Sequence, residues 1–292
     1  MRITPILGET GASVTEQVRP VGPRSCGAFP RGIGSAGASP YRASLRIGGI
    51  MLAIVLALGA GAASAAPAPA GDPVGGQSLA QRLRSAMPEE ASEIRGTLII
   101  GPGKHARQVP VVCRVILHDG TWETDYDTFA TTNAGAERLV IRHSTNGPDE
   151  YLYAKAAAPD AALPPPAPLA PADADIPLAG SDFSLADLGL EFLHWPDQRE
   201  FPDETRLDRA CYVLESRNPQ GSGITRVRSY FDKESGGLLI AEAFDAGGQA
   251  AKKFSLHGSS FKKVNGHYRL EKMEISNRKT RSQTELKFDI SP

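Results

Sequence analysis

The sequence has little cysteine and tryptophan, and it lacks the spacings of common catalytic and metal-binding motifs. Three cysteines and two tryptophans occur in 292 residues. None of the six histidines forms an H-E-x-x-H motif or pairs with a C-x-x-C motif, so no spacing indicates a zinc site. A G-x-S-x-G elbow is missing, and residues 101–104 are more typical of a hairpin turn than of a phosphate-binding loop. These absences predict a protein that is not an enzyme and needs no cofactor or metal.

The chain also lacks a large net charge. Its 32 Lys and Arg residues are balanced by 33 Asp and Glu residues, which argues against nucleic acid as a partner. From Lys252 onward, however, basic residues outnumber acidic ones. We interpret this asymmetry as the solvent-exposed face of edge strands, where Lys discourages pairing with the strands of another molecule. The alternative is a docking patch for an anionic membrane or a partner protein.

Long hydrophobic runs are confined to the N-terminal part of the chain. Residues 50–58 form an uninterrupted apolar run that follows Arg46, and small residues then lead to the A-x-A pattern of residues 63–65. A membrane anchor would need about 20 strongly apolar residues. The pattern therefore favours a cleaved secretory signal peptide over residues 45–65, with the mature chain beginning at Ala66 in the periplasm.

Composition divides the rest of the chain. Residues 1–44 are predicted to be a mis-annotated or disordered leader, and residues 66–78 a disordered linker. Residues 79–292 are predicted to form a single domain. The Pro- and Ala-rich residues 156–179 are interpreted as an insertion in that domain, because strand-like sequence patterns occur both before and after them.

The domain is predicted to begin with a short helix over residues 79–86 and to consist mainly of strands after it. Short alternating runs are separated by turn residues such as Asp119-Gly120 and Asn265-Gly266. The predicted fold class is α+β: a curved antiparallel sheet of roughly ten strands whose apolar face is covered by one or two helices.

Two cysteines remain after removal of the leader. Cys113 and Cys211 both fall on predicted strands and form an even pair in an oxidising compartment. A disulfide and two separately buried thiols both fit this pattern.

The stretch G-S-D-F-S-L-A-D-L-G-L-E-F-L-H-W, residues 180–195, predicts the covering helix. Ser184 is an N-cap and Asp187 completes a capping box, while Phe183 and Leu188 form a hydrophobic staple. Gly189 weakens the helix interior by about 1 kcal/mol, so the helix depends on what it packs against.

One face of this helix is apolar. Leu185, Leu188, Phe192 and Trp195 recur at helical spacing. Two interpretations remain: an ordinary core helix, or a hydrophobic lid over a ligand cavity. In the second, the ligand-binding residues are Phe183, Leu185, Leu188, Phe192 and Trp195.

Three runs of the sequence resemble a known family. They are G-S-D-F-S-L-A-D-L, S-Y-F-D-K-E-S-G-G-L-L-I-A-E-A-F-D-A-G-G and H-Y-R-L-E-K-M-E-I-S-N with the following T-E-L-K-F-D-I. They look like the outer-membrane lipoprotein-sorting, LolA-like family. The resemblance implies an incomplete, strongly curved antiparallel β-barrel with a hydrophobic concavity capped by helices. It also implies a periplasmic carrier of acyl chains or lipidated proteins, and it supports the lid interpretation.

The sequence therefore leads to two functional hypotheses. The first is a non-enzymatic periplasmic carrier that binds lipid or lipoprotein acyl chains and works with an inner- or outer-membrane transport partner. The second is a periplasmic sensor or adaptor that uses the same fold to bind a protein partner. Acyl chains that co-purify with the protein would distinguish the first from the second.

Overall fold

The computed structural model describes residues 71–290, except 146, 171, 172, 222, 258, 259, 265 and 266. The predicted leader and signal peptide lie outside the described residues, as do residues 66–70 of the predicted linker.

The first helix, α1, spans Pro73–Arg84 and begins earlier than the sequence predicted. Asp72 caps it by accepting a hydrogen bond from the Val74 amide at 2.9 Å, and proline suits the first helical position. At Gly76, a Cβ would lie 2.3 Å from the backbone oxygen of Gln198, so only glycine permits this close contact. Residues 73–78 of the predicted disordered linker are therefore helical.

Fifteen strands follow. Their bounds are β1 Ser92–Ile100, β2 Arg107–His118, β3 Thr121–Thr128, β4 Glu137–His143, β5 Glu150–Lys155, β6 Ala167–Pro168, β7 Asp197–Arg206, β8 Arg209–Arg217, β9 Ile224–Asp232, β10 Leu238–Asp245, β11 Ala250–Ser255, β12 Phe261–Val264, β13 His267–Leu270, β14 Lys272–Asn277 and β15 Ser282–Phe288. A four-residue helix, α2, spans Leu185–Leu188, and 3₁₀ turns occur at Gly103–His105, Leu178–Gly180 and Glu191–His194.

Thirteen of these strands form one antiparallel sheet in the order β6-β5-β4-β3-β2-β1-β15-β14-β11-β10-β9-β8-β7. Strands β12 and β13 form a separate hairpin. Most neighbours are also neighbours along the chain, but β1 pairs with β15 in the middle of the sheet, as in Gly96 opposite Phe288. The outermost strands, β6 and β7, do not pair with each other, so the sheet is not closed. The predicted fold class, a curved, incomplete antiparallel barrel covered by one or two helices, is confirmed, with thirteen strands in the sheet where roughly ten were predicted.

The two faces of the sheet differ in chemistry. On β3 the inner face carries Trp122, Thr124, Tyr126 and Thr128, all buried. The residues between them point to the other face, where Asp125 forms an ion pair with Arg138 at 2.7 Å. The core therefore lies on one face of the sheet, and charged side chains occupy the other.

The Pro- and Ala-rich segment runs along one edge of the sheet. Ala167 and Pro168 pair with Tyr153 and Leu152 of β5, and proline is tolerated there because β6 is an edge strand. The next sheet strand along the chain, β7, forms the opposite edge. The chain between β6 and β7 must therefore cross the inner face.

The two cysteines are free and buried. Cys113 lies on β2 and Cys211 on β8, with seven strand-to-strand steps between them in the sheet. The disulfide alternative is therefore corrected to two separate thiols. Burial raises the pKa of both, which disfavours the reactive thiolate.

Among the helices of the described part of the chain, none has the length and apolar character needed to span a membrane.

Candidate functional site

The segment that crosses the inner face, residues 177–195, is here named the crossing segment. It contains the Leu178–Gly180 turn, α2 and the Glu191–His194 turn. Its buried apolar side chains are Leu178, Ala179, Phe183, Leu185, Leu188, Leu190, Phe192 and Leu193. They share one hydrophobic cluster with side chains from both halves of the sheet. The crossing segment therefore covers the apolar face that the sheet would otherwise expose.

The start of α2 follows the sequence prediction. Ser184 and Asp187 form the capping box, with the Ser184 amide donating to Asp187 Oδ2 at 2.8 Å. Lys252 on β11 donates to the same carboxylate at 2.8 Å. One aspartate thus caps the helix and also ties it to the sheet.

The predicted single helix over residues 184–195 is wrong. α2 ends at Leu188, and Leu190 adopts left-handed backbone angles (φ 51°) before the Glu191–His194 turn. Gly189 packs against Tyr151 of β5 so closely that a Cβ would lie 2.1 Å from the tyrosine oxygen. That tyrosine hydroxyl donates to Glu191 Oε2 at 3.0 Å. The helix breaks here because a side chain from a distant strand occupies the space beside it.

The crossing segment is anchored at its beginning by a buried carboxylate. Glu137 on β4 is 1% exposed. Its Oε2 accepts hydrogen bonds from the Ala179 amide at 2.7 Å and the Tyr153 hydroxyl at 2.8 Å, and Lys155 Nζ lies 3.0 Å from Oε1. Ala179 has left-handed backbone angles (φ 50°), and Arg107 donates to its carbonyl oxygen. This network fixes the turn at which the chain enters the inner face.

The far end is anchored by backbone contacts. The buried Gln198 side chain donates to the carbonyl oxygens of Phe192 and Trp195, both at 2.9 Å. Arg84 of α1 donates to the carbonyl oxygen of Leu193 at 2.9 Å. Both ends of the crossing segment are therefore held by several hydrogen bonds. Between them, the Asp182 amide donates to Thr284 Oγ1 on β15 at 2.9 Å, and the Asp182 carboxylate accepts from Thr284 and Ser282. The rest of the middle is held by packing and by the Lys252 and Tyr151 contacts.

Two small cavities flank the crossing segment. The first, of about 50 Å³, is lined by Leu83, Arg84, Val115, Trp122, Thr124, Tyr126, His143, Asp149, Leu188, Gly189, Leu190, Leu193 and His194. The second, of about 40 Å³, is lined by Phe183, Asp187, Leu190, Phe192, Val227, Leu238, Ala241, Ala243, Lys252, Phe254 and Ile275. Each exceeds the roughly 10–15 Å³ that one water needs. Leu190 borders both cavities, so the crossing segment separates two spaces over one inner face.

The predicted lid residues differ in position. Phe183 and Phe192 line the second cavity and Leu188 lines the first. Leu185 is completely buried and borders neither cavity, while Trp195 is only half-buried and packs at the margin of the cluster. The structure thus brings four of the five together over the sheet and places the fifth at their border.

The first cavity carries a polar cluster that the sequence did not reveal. His143 stacks on Trp122 and contacts Thr124 Oγ1 at 3.0 Å and Asp149 Oδ2 at 2.8 Å. His194 Nε2 of the crossing segment lies 3.5 Å from Asp149 Oδ1. The Asp149 carboxylate therefore links the crossing segment to the end of β4.

Burial alone would raise the pKa of Asp149, but the hydrogen bonds from the two histidines outweigh it and hold the pKa well below its usual range. The carboxylate therefore stabilises the folded state above the pKa of an unfolded aspartate, near 3.9. That contribution is lost progressively as the pH falls from this value through the lowered pKa of the folded state.

The described residues contain no group of three or more His, Cys, Asp or Glu side chains arranged to hold a metal ion. Chemically, the site offers an apolar surface, two spaces and a cluster of hydrogen-bonding groups in the first of them.

Comparisons with known proteins identify relatives of this fold. A family model described as "Uncharacterized protein" matches residues 130–290. No curated protein matches the sequence significantly.

Three solved structures are similar over about three quarters of the chain. One, from Vibrio parahaemolyticus, is described as an outer membrane lipoprotein-sorting protein domain; it is 18% identical with a TM-score of 0.59, covering 75% of this chain and 92% of that one. A DUF1329 family protein from Desulfovibrio piger is 17% identical with a TM-score of 0.58 and the same two coverages. A LolA superfamily protein from Nitrosomonas europaea is 13% identical with a TM-score of 0.49, covering 74% and 91%. At these identities the first two show a common fold.

Proposed function

The chain belongs to a family of uncharacterized proteins with a LolA-like fold, and on that premise we propose that it is a non-enzymatic periplasmic carrier of lipid acyl chains or of proteins that bear them. The periplasm is the proposed compartment because residues 45–65 have the pattern of a signal peptide. The description of the Vibrio relative as a lipoprotein-sorting domain supports the same class of cargo.

The observation that carries this proposal is the apolar space beneath the crossing segment. Apart from the paired Asp187 and Lys252, every side chain that lines the second cavity is hydrocarbon. Two of them, Ala241 and Ala243 on β10, are small where a filled core would carry larger residues. Small side chains beside the crossing segment leave room for an acyl chain when that segment moves.

The crossing segment acts as the lid in this proposal. Its ends stay anchored at Glu137 and Gln198, and Asp182 stays bound to Thr284 of β15. Lifting the part between Asp187 and His194 breaks the contacts with Lys252, Tyr151 and Asp149. Lifting the middle joins the two cavities on either side of Leu190. A bound acyl chain then takes the place of the side chains of the lid on the inner face of the sheet.

The chemistry of binding is non-directional burial. Each buried CH₂ group contributes about 0.8 kcal/mol, so affinity should rise with chain length and tolerate different chains. Capture needs no catalysis, since the lid only exchanges one apolar contact for another.

Filling the second cavity tests this proposal. Ala243→Leu adds three carbons to the wall of the second cavity. It should weaken the binding of a fluorescent fatty acid at least fivefold, because the larger side chain occupies the space that the acyl chain needs. Overpacking of this kind costs roughly 1–3 kcal/mol of stability, so the variant should remain folded.

The matched control is Ala210→Leu, at an exposed position on β8. It should bind the probe like the wild type. Equal binding by a folded Ala243→Leu variant would contradict a chain site in the second cavity, and absence of saturable binding by the wild type would favour the adaptor hypothesis.

A further inference from the structure

The inner face is divided between polar and apolar chemistry. Beneath the first cavity, β3 contributes Thr124 and Tyr126 and β4 contributes His143. Beneath the second, β9, β10 and β14 contribute Val227, Leu238 and Ile275. The first cavity also has apolar walls, such as Leu83, Val115 and Leu188, so it accepts hydrocarbon as well as polar groups. An amphiphile matches both halves, because uncharged polar side chains line only the first.

Tyr126 lines the first cavity, and its hydroxyl is buried without a hydrogen-bond partner among the described residues. Its side chain is 1% exposed, and no hydrogen-bond partner for its oxygen exists among the described residues. Burial raises the pKa of Tyr126 well above its ordinary value, so the hydroxyl keeps its proton and remains a donor. Buried hydroxyls are normally satisfied, and a donor that borders a cavity calls for an acceptor inside it.

The neighbouring polar groups are already occupied. Thr124 contacts His143 at 3.0 Å, and the other nitrogen of that ring contacts Asp149 at 2.8 Å. Arg84 donates to the carbonyl oxygen of Leu193. This bond uses one of the five guanidinium donors of Arg84. Tyr126 is therefore the uncharged hydroxyl of this cavity that is buried without a partner among the described residues.

The charge of the first cavity favours a neutral acceptor. The formal charges of Asp149 and Arg84, which both line this space, balance, so the cavity has no net charge with which to select an ionised head group. A carbonyl oxygen accepts a hydrogen bond without bringing a charge into a buried site.

We propose that the ligand is an acyl ester or amide, whose carbonyl oxygen accepts a hydrogen bond from Tyr126 in the first cavity and whose hydrocarbon chain lies in the second. This inference rests on the proposed carrier function and adds the class and the orientation of the ligand. Leu190 borders both cavities, and its displacement opens the path that connects head and tail.

The test uses Tyr126→Phe, which removes the hydroxyl and keeps the ring. Methyl palmitate and hexadecane are compared as competitors of a fluorescent alkyl probe, for the full-length mature protein and the variant. The variant should bind methyl palmitate about fivefold to tenfold more weakly, as expected for one lost hydrogen bond, and bind hexadecane equally well. Its thermal midpoint should not fall, because the unpaired hydroxyl is removed and no bond is broken.

Each other outcome has a distinct meaning. Equal binding of methyl palmitate by both proteins would overturn the placement of the carbonyl while leaving the carrier function standing. Failure of the wild type to bind either competitor would overturn the carrier function itself.

Orientation can be read from Trp122, which lines the first cavity. In a Trp195→Phe background, Trp122 is the only tryptophan of the two in the chain. A palmitate ester brominated next to its carbonyl should quench this fluorescence strongly, and one brominated at the end of its chain should quench it weakly. The reverse order would overturn the orientation.

The ester could come from a membrane phospholipid or from a lipoprotein. Titration with a dipalmitoyl phospholipid and with a diacylated lipopeptide separates these sources. Whichever binds to the wild type should lose affinity in Tyr126→Phe, and an undiminished affinity for both would overturn the proposal.

Discussion

Replacing Glu137 with alanine is expected to destabilise the folded protein by roughly 2–6 kcal/mol, since each buried donor left without an acceptor costs about 1–3 kcal/mol. The two donors that bind Glu137 Oε2 are the buried Ala179 amide and the half-buried Tyr153 hydroxyl, so the loss should lie in the lower half of this range. Lys155 adds little to this cost because its side chain is 58% exposed and returns to water. The thermal midpoint and chemical unfolding measure the loss.

The matched control is Glu150→Ala on the adjacent strand. The Glu150 side chain is 51% exposed, and its partner Arg142 is 49% exposed. An exposed pair of this kind contributes about 0–1 kcal/mol, so this variant should unfold like the wild type. Equal, small losses in both variants would contradict the assignment of Glu137 as the anchor of the crossing segment.

Replacing Phe192 with alanine is expected to reduce the affinity for a fluorescent fatty acid by roughly fivefold to tenfold, equivalent to about 1–1.4 kcal/mol of lost apolar contact with the bound chain. The thermal midpoint should change little. Phe192 is 8% exposed and lines the second cavity, so it loses fewer contacts than a phenylalanine inside a filled core. A core phenylalanine cut to alanine costs about 3–5 kcal/mol.

Leu185→Ala provides the comparison for a core position in the same segment. Leu185 is 0% exposed and borders neither cavity, so its removal should cost about 2–5 kcal/mol. If Phe192→Ala also lowered the midpoint strongly and left the affinity of the folded protein unchanged, the crossing segment would be an ordinary core element and not a lid.

The sequence predicted features that depend on neighbours along the chain. The capping box of Ser184 and Asp187 was predicted from their spacing, and the structure confirms it. The antiparallel strands followed from alternating side chains and turn residues, and the resemblance to a known family added the incomplete barrel.

Features that depend on distant residues were missed. The break after α2 arises because Tyr151 of β5 fills the space beside Gly189, and no periodicity within residues 184–195 reveals that contact. The start of α1 at Pro73 follows from the local Asp72 cap, but its close packing through Gly76 depends on the backbone of Gln198, more than a hundred residues away.

The polar half of the site was missed for the same reason. A tyrosine on a strand is typical of a core, and only the three-dimensional structure shows that the hydroxyl of Tyr126 is buried without a partner. His143 and Asp149 meet within the β4–β5 hairpin, but His194 reaches Asp149 only when the crossing segment packs on that hairpin.

The most direct test of the carrier function is mass spectrometry of the protein purified gently from its own cell envelope, under conditions that keep bound molecules attached. We expect a population heavier than the mature chain by the mass of an acyl-bearing lipid or lipoprotein, released as ester-linked acyl chains on extraction and reduced in Ala243→Leu. Folded protein from the same source that carries no acyl chains would contradict the account.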